Sequence, residues 1–568
     1  MTARLSMLLV APLLGAGIEK QTVRVPMRDG VNLSSDIYRT SGASKTPVLL
    51  MRTPYNKAGA KAIAERYTQA GYTIMVQDTR GRYESEGAWF PYNNEGQDGF
   101  DTLEWVSRQP WSGGKVGMWG ASYVGAVQWQ AAAEDAPGLA VVAPTATWSS
   151  FYRNVYHGGA VRLALIAQAS AGTYPPTDGT LPPTSWDGIL PHLPLSTMDQ
   201  RIGWAIPWLT GILTHPRPDG FWKRLDITKE VEKLELPAQH VVGYYDFFQR
   251  ESVGNFLRLQ SKGNQQLILG PWDHGTIGKA KVGDLDFGPA AVIDLPGENL
   301  QWFDRFLKPD AGQRPAFPAV RYFVMGENAW RTAKTWPPET AAVTWLYLRS
   351  GGRANTRGGD GRLEWAAARN HEPSDTFRSD PADPAPSAPA SQARGKYPTL
   401  WGPVDQVPIE DRPDVLVYST RPLTEPLAFA GPVQAELHVS ADTPDADWVV
   451  KLVDVHPNGF AQNLAVGLLR SSARESEVYP IPVTPGKNYK LTVDLGNAAA
   501  MLDRGHILRV DVSGAYFPLF DRNTNTGAGP FASETRVSTQ SVLHSAATPS
   551  RLSLPLLPMR DNKRARRR

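Results

Sequence analysis

Lys115-Val116-Gly117-Met118-Trp119-Gly120-Ala121-Ser122-Tyr123-Val124-Gly125 is followed by Ala126 to Ala133, a run of good helix formers. Gly117 to Trp119 suits a short buried strand, and the residues after Gly125 suit a helix. Between them lies a tight turn crowded with small residues. A strand, a sharp turn and a helix with a serine at the turn is a nucleophile elbow. Such a turn is strained and brings backbone close together, so glycine is required nearby. The common spacing is G-x-S-x-G. Here Gly120 fits, and the second glycine stands one place late, at Gly125.

Flanking segments carry the same architecture. Val48 to Met51, Tyr72 to Asp78 and Leu139 to Ala143 are short apolar runs separated by helical stretches. That is the pattern of βαβ units and a parallel sheet. Residues 146–232 then hold aromatics, prolines and helical pieces, with Tyr174-Pro175-Pro176 and Leu181-Pro182-Pro183 as punctuation. This reads as an inserted helical lid. Strand signals resume at Gln239 to Tyr244 and at Gln266 to Gly270. Beyond about residue 340 the alternation is antiparallel. Val433, Ala435, Leu437 and Val439 face one way, and Leu508, Val510 and Val512 alternate with Arg509, Asp511 and Ser513. Pro457-Asn458-Gly459 and Pro485-Gly486 are turn signals. The predicted fold is α/β: an α/β-hydrolase domain with an inserted helical lid, followed by a C-terminal β-sandwich of the jelly-roll type. The expected divisions are 21–145 and 233–340 for the hydrolase domain, 146–232 for the lid and 341–568 for the sandwich. The stretch from Asp380 to Gln392 reads as a surface loop or linker.

Composition sets outer bounds. The 568 residues are 41% hydrophobic and 20% charged, with a net charge of +3. This is a globular composition with no pull toward nucleic acid. The basic run Lys563 to Arg568 reads as a solvated tail. Cysteine is absent, which removes disulfides, thiolate metal sites and a cysteine nucleophile together. Arg4, the apolar run Leu5 to Leu14 and Gly15-Ala16-Gly17 read as a short secretory signal within residues 1–20. That favours a secreted or periplasmic location over a cytoplasmic one. The run is too short to span a bilayer, and no other stretch approaches a membrane helix.

A serine hydroxyl needs a base, and the base needs an orienting acid. In α/β-hydrolases the chain order is Ser, then Asp or Glu, then His, each just past a strand end. Asp246 follows the strand ending near Tyr244. His274 follows the strand Leu267 to Leu269, in Gly270-Pro271-Trp272-Asp273-His274-Gly275. Among ten histidines, His157 and His215 fall in the lid. His371, His438, His506 and His544 fall in the C-terminal region, where structural or surface roles are expected. Asp273 neighbours the base in sequence, but a neighbour normally points elsewhere, so Asp246 is the expected acid. The catalytic set is therefore Ser122, Asp246 and His274. No metal motif or phosphate loop is present, and the mechanism needs no cofactor.

On these residues the chain resembles the cocaine-esterase-like serine hydrolases, related to α-amino-acid ester hydrolases, glutaryl acylases and X-prolyl dipeptidyl peptidases. Arg52-Thr53-Pro54-Tyr55 matches the family's oxyanion segment, and Gln77 to Arg82 with Ser85-Glu86-Gly87 matches the strand and loop after it. Gly243 to Asp246 and Gly270 to His274 match the acid and base segments. Asp414 to Tyr418 and Phe517 to Gly527 are similar to its jelly roll. In that family the late glycine at the elbow is normal. The resemblance implies an oxyanion hole made by the Tyr123 backbone N–H and the Tyr55 hydroxyl. It also implies an acyl pocket lined by Phe248, with Tyr156 near another aromatic position. The α-amino-acid ester hydrolases carry carboxylates two and three places after the acid, where Phe248 and Gln249 stand here. The charge that would offset burial of an ammonium group is missing at those places.

The expected activity is hydrolysis of a carboxylic ester of a neutral, aromatic-tolerant acyl group through an acyl-enzyme. The alternatives are an amidase, β-lactam acylase or X-Pro dipeptidyl peptidase on the same machinery, or a non-catalytic carbohydrate-binding protein. The expected partner is a small-molecule ester or amide, with no nucleic acid and no membrane. A homodimer is compatible with the sequence.

Overall fold

The computed structural model describes residues 17–174, 183, 185–308, 316–388 and 402–558. The expected signal run, the basic tail, the prolines 175, 176 and 182, and the end of the 380–392 stretch lie outside these residues. The chain divides into two compact units, 1–144 with 296–315, and 145–295 with 316–568.

The first unit is built on strands β1 (Ile18–Pro26), β2 (Asn32–Thr40), β3 (Thr46–Thr53), β4 (Thr73–Asp78), β5 (Ser112–Ala121) and β6 (Leu139–Thr145), in the order β1-β2-β4-β3-β5-β6. β1 and β2 form an antiparallel pair, while β3 runs parallel to both β4 and β5. β1 begins at Ile18, so the ordered fold reaches back into the segment read from sequence as the end of the signal. Helices α1 (Lys61–Gln69), α2 (Glu95–Ser107) and α3 (Tyr123–Ala133) connect the strands. β4 is buried along its whole length, as expected of a strand covered on both faces. Gly117 in β5 is required by packing, because a Cβ there would stand 2.9 Å from both Leu49 and Phe303. The helix Leu295–Leu307, all but its first residue in this unit, is tied down by Trp302 Nε1 to the Val142 carbonyl (3.1 Å) and by Tyr72 to Asp304 (2.7 Å).

In the second unit, strands Ala238–Gly243, Gln265–Gly270 and Val320–Val324 are parallel, and Ala329–Ala333 closes the edge as an antiparallel hairpin. Between Ala146 and Ala238 the described regular elements are mainly helices, including Phe151–Val155, Leu163–Thr173 and Pro207–Thr214. Trp148, Phe151, Trp208 and Trp222 pack there as neighbouring rings, with centroids 5.0 to 6.2 Å apart where they meet. Trp148 is thus a core residue of the insertion.

The C-terminal region is a β-sandwich. Its longest strands, Leu427–Ala441 and Tyr489–Leu502, pair antiparallel with one irregularity at Val433/Gln434. Val433, Ala435, Leu437 and Val439 are buried, as the alternation predicts. Ile507–Ser513 departs from that pattern, since Arg509, Asp511 and Ser513 are buried as well. Asp511 pairs with Lys451 at 3.1 Å, and Arg509 with Glu410 of the short helix Val407–Glu410. Lys451 stands opposite Asp511 on the neighbouring strand Asp447–Val455, so the two buried acids of this face are each matched by a cation. His544 is fully buried between Asp375 (2.9 Å) and Glu372 (3.1 Å), a structural role. One continuous apolar core includes Val241, Leu267, Trp272 and Phe323 of the hydrolase-type strands together with Leu437, Trp448 and Val510 of the sandwich.

Candidate active site

Ser122 stands between β5 and α3 with φ 61° and ψ −125°, a conformation that a residue bearing a Cβ rarely adopts. Its carbonyl accepts the Gly125 and Ala126 N–H groups at 2.9 and 3.0 Å, so the helix starts directly at the serine. Gly120 has φ 136°, and a Cβ there would lie 2.2 Å from Val124 Cγ1. The first glycine of the motif therefore makes room for the valine that separates Ser122 from Gly125.

Tyr55 follows β3. Its N–H donates to Thr53 Oγ1 at 3.0 Å, and Arg82 Nε donates to the preceding Pro54 carbonyl, also at 3.0 Å. Arg82 in turn lies over the Trp89 ring, 4.6 Å from its centroid. The loop is thus held from both sides. The Tyr55 hydroxyl hydrogen-bonds the Ser122 side chain. Crowding around that hydroxyl raises its pKa, against the opposing pull of Ser122 and the Arg82 charge. A ring 52% exposed overall thus presents a protonated hydroxyl to the serine.

Tyr123 anchors the residue after the serine. Its ring stacks on Tyr92 at 4.1 Å, and its hydroxyl donates to Glu95 Oε1 at 2.6 Å while accepting the Tyr92 N–H at 3.0 Å. Glu95, the first residue of α2, also pairs with Arg52 at 3.0 Å. Arg52 is fully buried and donates to Gln77 and to the Glu95 carbonyl. Burial raises the Tyr123 pKa well above its usual value, with the Glu95 charge acting the same way, so the phenol stays a donor. Burial raises Glu95 too, opposed by Arg52. Sequence reasoning missed this Arg52–Glu95–Tyr123 network and the clamp from Arg82. The available signal was an arginine on an otherwise apolar strand, Val48 to Thr53, which must meet a buried partner.

In the second unit, Asp246 Oδ2 accepts from His274 Nδ1 at 2.9 Å, and Asp246 Oδ1 accepts the Phe248 N–H at 2.8 Å. The carboxylate is completely buried. Burial alone would lower the His274 pKa, but the charge and hydrogen bond of Asp246, helped by Asp273, leave it raised. Asp273 Oδ1 accepts from Gly275 N–H and Thr276 Oγ1, both at 2.8 Å, and so closes its own turn. The Asp246 and His274 loops are packed against each other at Gly243, and Gly270 makes room for the Trp272 ring within the His274 loop. A Cβ on Gly243 would lie 1.9 Å from the Trp272 carbonyl oxygen, and one on Gly270 would lie 2.4 Å from the Trp272 ring.

Phe247 and Phe248 flank the imidazole, with centroids 4.4 and 5.4 Å from it. Tyr156 is buried among Tyr152 and Trp222, its hydroxyl donating to the Ile212 carbonyl at 3.1 Å. Gln249 bonds the Tyr244 and Asn497 carbonyls and accepts the Asn497 N–H, so it ties the helix Gln249–Leu259 to the sandwich.

Residues 29–276 match the X-Pro dipeptidyl-peptidase (S15 family) model, and residues 315–553 match the X-Pro dipeptidyl-peptidase C-terminal non-catalytic domain. The chain is 36% identical over 533 residues to the cocaine esterase of Rhodococcus sp. (strain MB1 Bresler), covering 89% of this chain and 92% of that one. The chain belongs to the cocaine-esterase-like family of serine hydrolases. A putative serine esterase of Mycobacterium bovis is 25% identical, over 88% of this chain and 91% of its own. Among solved structures, an α-amino acid ester hydrolase superposes with TM-score 0.84 at 26% identity, over 97% of this chain and 98% of its own. An aminopeptidase from a marine sediment archaeon, Thaumarchaeota archaeon, gives 0.83 at 26% identity, over 95% and 97%. The α/β-hydrolase fold with a strand-rich C-terminal domain is common to the family. No described helix is long and apolar enough to cross a membrane.

Proposed function

We propose that this serine hydrolase cleaves carboxylic esters of neutral acyl groups, aromatic ones included, through an acyl-enzyme at Ser122. The observation that carries the reading is the Tyr55 hydroxyl bonded to the side chain of a serine held at φ 61°. A phenol in that position can donate to the oxyanion that forms when the serine oxygen attacks the ester carbonyl. The Tyr123 N–H, fixed by its anchored ring, is the second donor. His274 is the general base and Asp246 its orienting acid. His274 removes the serine proton during attack and returns it to the departing alkoxide. Water then repeats the sequence and releases the acid. The Ser122 oxygen, the carbonyl and the base need no metal in this scheme.

Phe248 is the proposed wall of the acyl pocket, and Tyr156 supports the aromatic cluster of the lid at 146–232. An acyl group with an α-ammonium finds no carboxylate at Phe248 or Gln249, and Gln249 is already bound to the sandwich. A fluorophosphonate should label wild-type protein and not Ser122→Ala. On a panel of nitrophenyl esters, an α-amino ester should gain nothing over its desamino analogue. Labelling of another serine would remove Ser122 from the mechanism. Amides or β-lactams turned over as fast as esters would move the reading to an acylase.

A further inference from the structure

The sandwich carries a side-chain cluster that the hydrolytic chemistry does not use. Strands Asp447–Val455 and Ile507–Ser513 are antiparallel, with Val455 opposite Ile507. The next position outward brings His456 and His506 opposite one another, their rings 4.8 Å apart. Asp454 lies two residues before His456, hence on the same face as that histidine. An Asp-x-His strand end facing a histidine thus brings three potential ligands together by strand geometry alone.

The distances suit one small cation. His506 Nδ1 is 2.7 Å from Asp454 Oδ1, His456 Nε2 is 3.6 Å from Asp454 Oδ2, and one ligand atom from each residue falls within 4.8 Å of the others. Two ligands about 2.0–2.1 Å from a tetrahedral zinc ion stand about 3.3 Å apart, between those values. A fourth group lies against His456. Gln462 donates its amide N–H to Tyr245 at 2.9 Å, which turns its carbonyl oxygen to within 3.1 Å of His456 Nε2.

The backbone is fixed before any ion arrives. The His456 N–H donates to the Phe460 carbonyl at 2.8 Å, and the His506 carbonyl accepts the Leu423 N–H at 2.8 Å. The Asp454 carboxylate is 6% exposed, while the His456 and His506 side chains are 26% and 16% exposed, which leaves a path from solvent. Two imidazoles and one carboxylate are the ligand chemistry of borderline divalent transition cations, not of calcium or magnesium, which take oxygen ligands.

We propose that Asp454, His456 and His506 bind a divalent transition cation such as Zn2+ on the sandwich, with Gln462 or water completing its coordination. Neutral histidines bind it by moving their ring protons to the nitrogens facing away, so no oxidant or other reactant is involved. Asp454, His456 and His506 are not among the proposed catalytic residues, and the ion serves stability rather than hydrolysis.

The test is titration of chelator-treated full-length protein with Zn2+, followed by calorimetry and thermal unfolding. Wild type, His438→Gln and His274→Ala should each bind one equivalent at this site and unfold at a higher temperature with Zn2+ present. His456→Gln and His506→Gln should weaken binding by about tenfold or more and lose the thermal shift. Ester hydrolysis in these two variants should match wild type, which shows that they fold. No saturable binding by wild type, or binding unchanged in the two folded variants, overturns the proposal. Loss of the equivalent in His274→Ala instead would assign the metal to the catalytic histidine and overturn it equally.

Discussion

At the residue scale the proposal turns on Tyr55 and on the choice of acid. Tyr55→Phe removes one donor and almost no volume, and the bond it removes is made mainly to charge that develops in the transition state. The turnover number should fall roughly a hundredfold to a thousandfold with little change in KM. Stability should move by less than about 0.5 kcal/mol. Stopped-flow turnover and urea unfolding on one preparation check both. Near wild-type turnover, with the chemical step rate-limiting, would reduce Tyr55 to a packing residue. Asp246→Asn should lower turnover by about ten-thousandfold, as a misoriented imidazole does, with Asp273→Asn far milder. The raised His274 pKa has a consequence of definite sign. The base works only when neutral, so the acid limb of kcat/KM should lie above the ordinary histidine value of 6.5. In Asp246→Asn the residual activity should keep its acid limb at lower pH than wild type. An unmoved limb would mean that another group sets it.

At the scale of elements, the site depends on backbones that approach too closely for a methyl group. Gly243 ends one strand and its neighbour Trp272 follows another, with no room for a Cβ against the Trp272 carbonyl. Gly243→Ala must push the two loops apart, and with them Asp246 and His274, which are 2.9 Å apart across that contact. Turnover should fall by at least about tenfold while fluorophosphonate labelling slows in parallel, although no proposed catalytic residue has changed. A crystal structure of the variant with an unaltered dyad, or full activity, would show that the loops adjust. The Arg52–Glu95–Tyr123 network plays the same part beneath the elbow, holding α2, β3 and the start of α3 by a buried ion pair and a phenol.

At the scale of the molecule, the sandwich is not an appended module. Its apolar residues share one core with the hydrolase-type strands of the same unit, and Gln249, Arg250 and Tyr245 reach it by hydrogen bonds and an ion pair. Deleting residues 341–568 should leave the strands Ala238–Gly243 and Val320–Val324 with uncovered apolar surface. The truncated chain should aggregate and show no labelling. A soluble, cooperatively unfolding and labelled product, by gel filtration and calorimetry, would contradict this dependence.

The sequence alone determined the local structure. The elbow around Ser122, the strand ends before Asp246 and His274, and the alternation of Val433 to Val439 all follow from periodicity and from small residues at a tight turn. Such features are encoded within a few consecutive positions. Only the tertiary structure decided what distant residues do to one another: Arg82 on the Pro54 carbonyl, Glu95 under Tyr123, Gln249 on Asn497, and Asp273 turned toward its own loop while Asp246 meets His274. It also decided that Arg509 and Asp511 are buried, against the expectation from alternation. The physical reason is that a side chain's partner is set by the path of the chain through space, and hydrogen bonds and ion pairs between remote segments leave no period in the sequence.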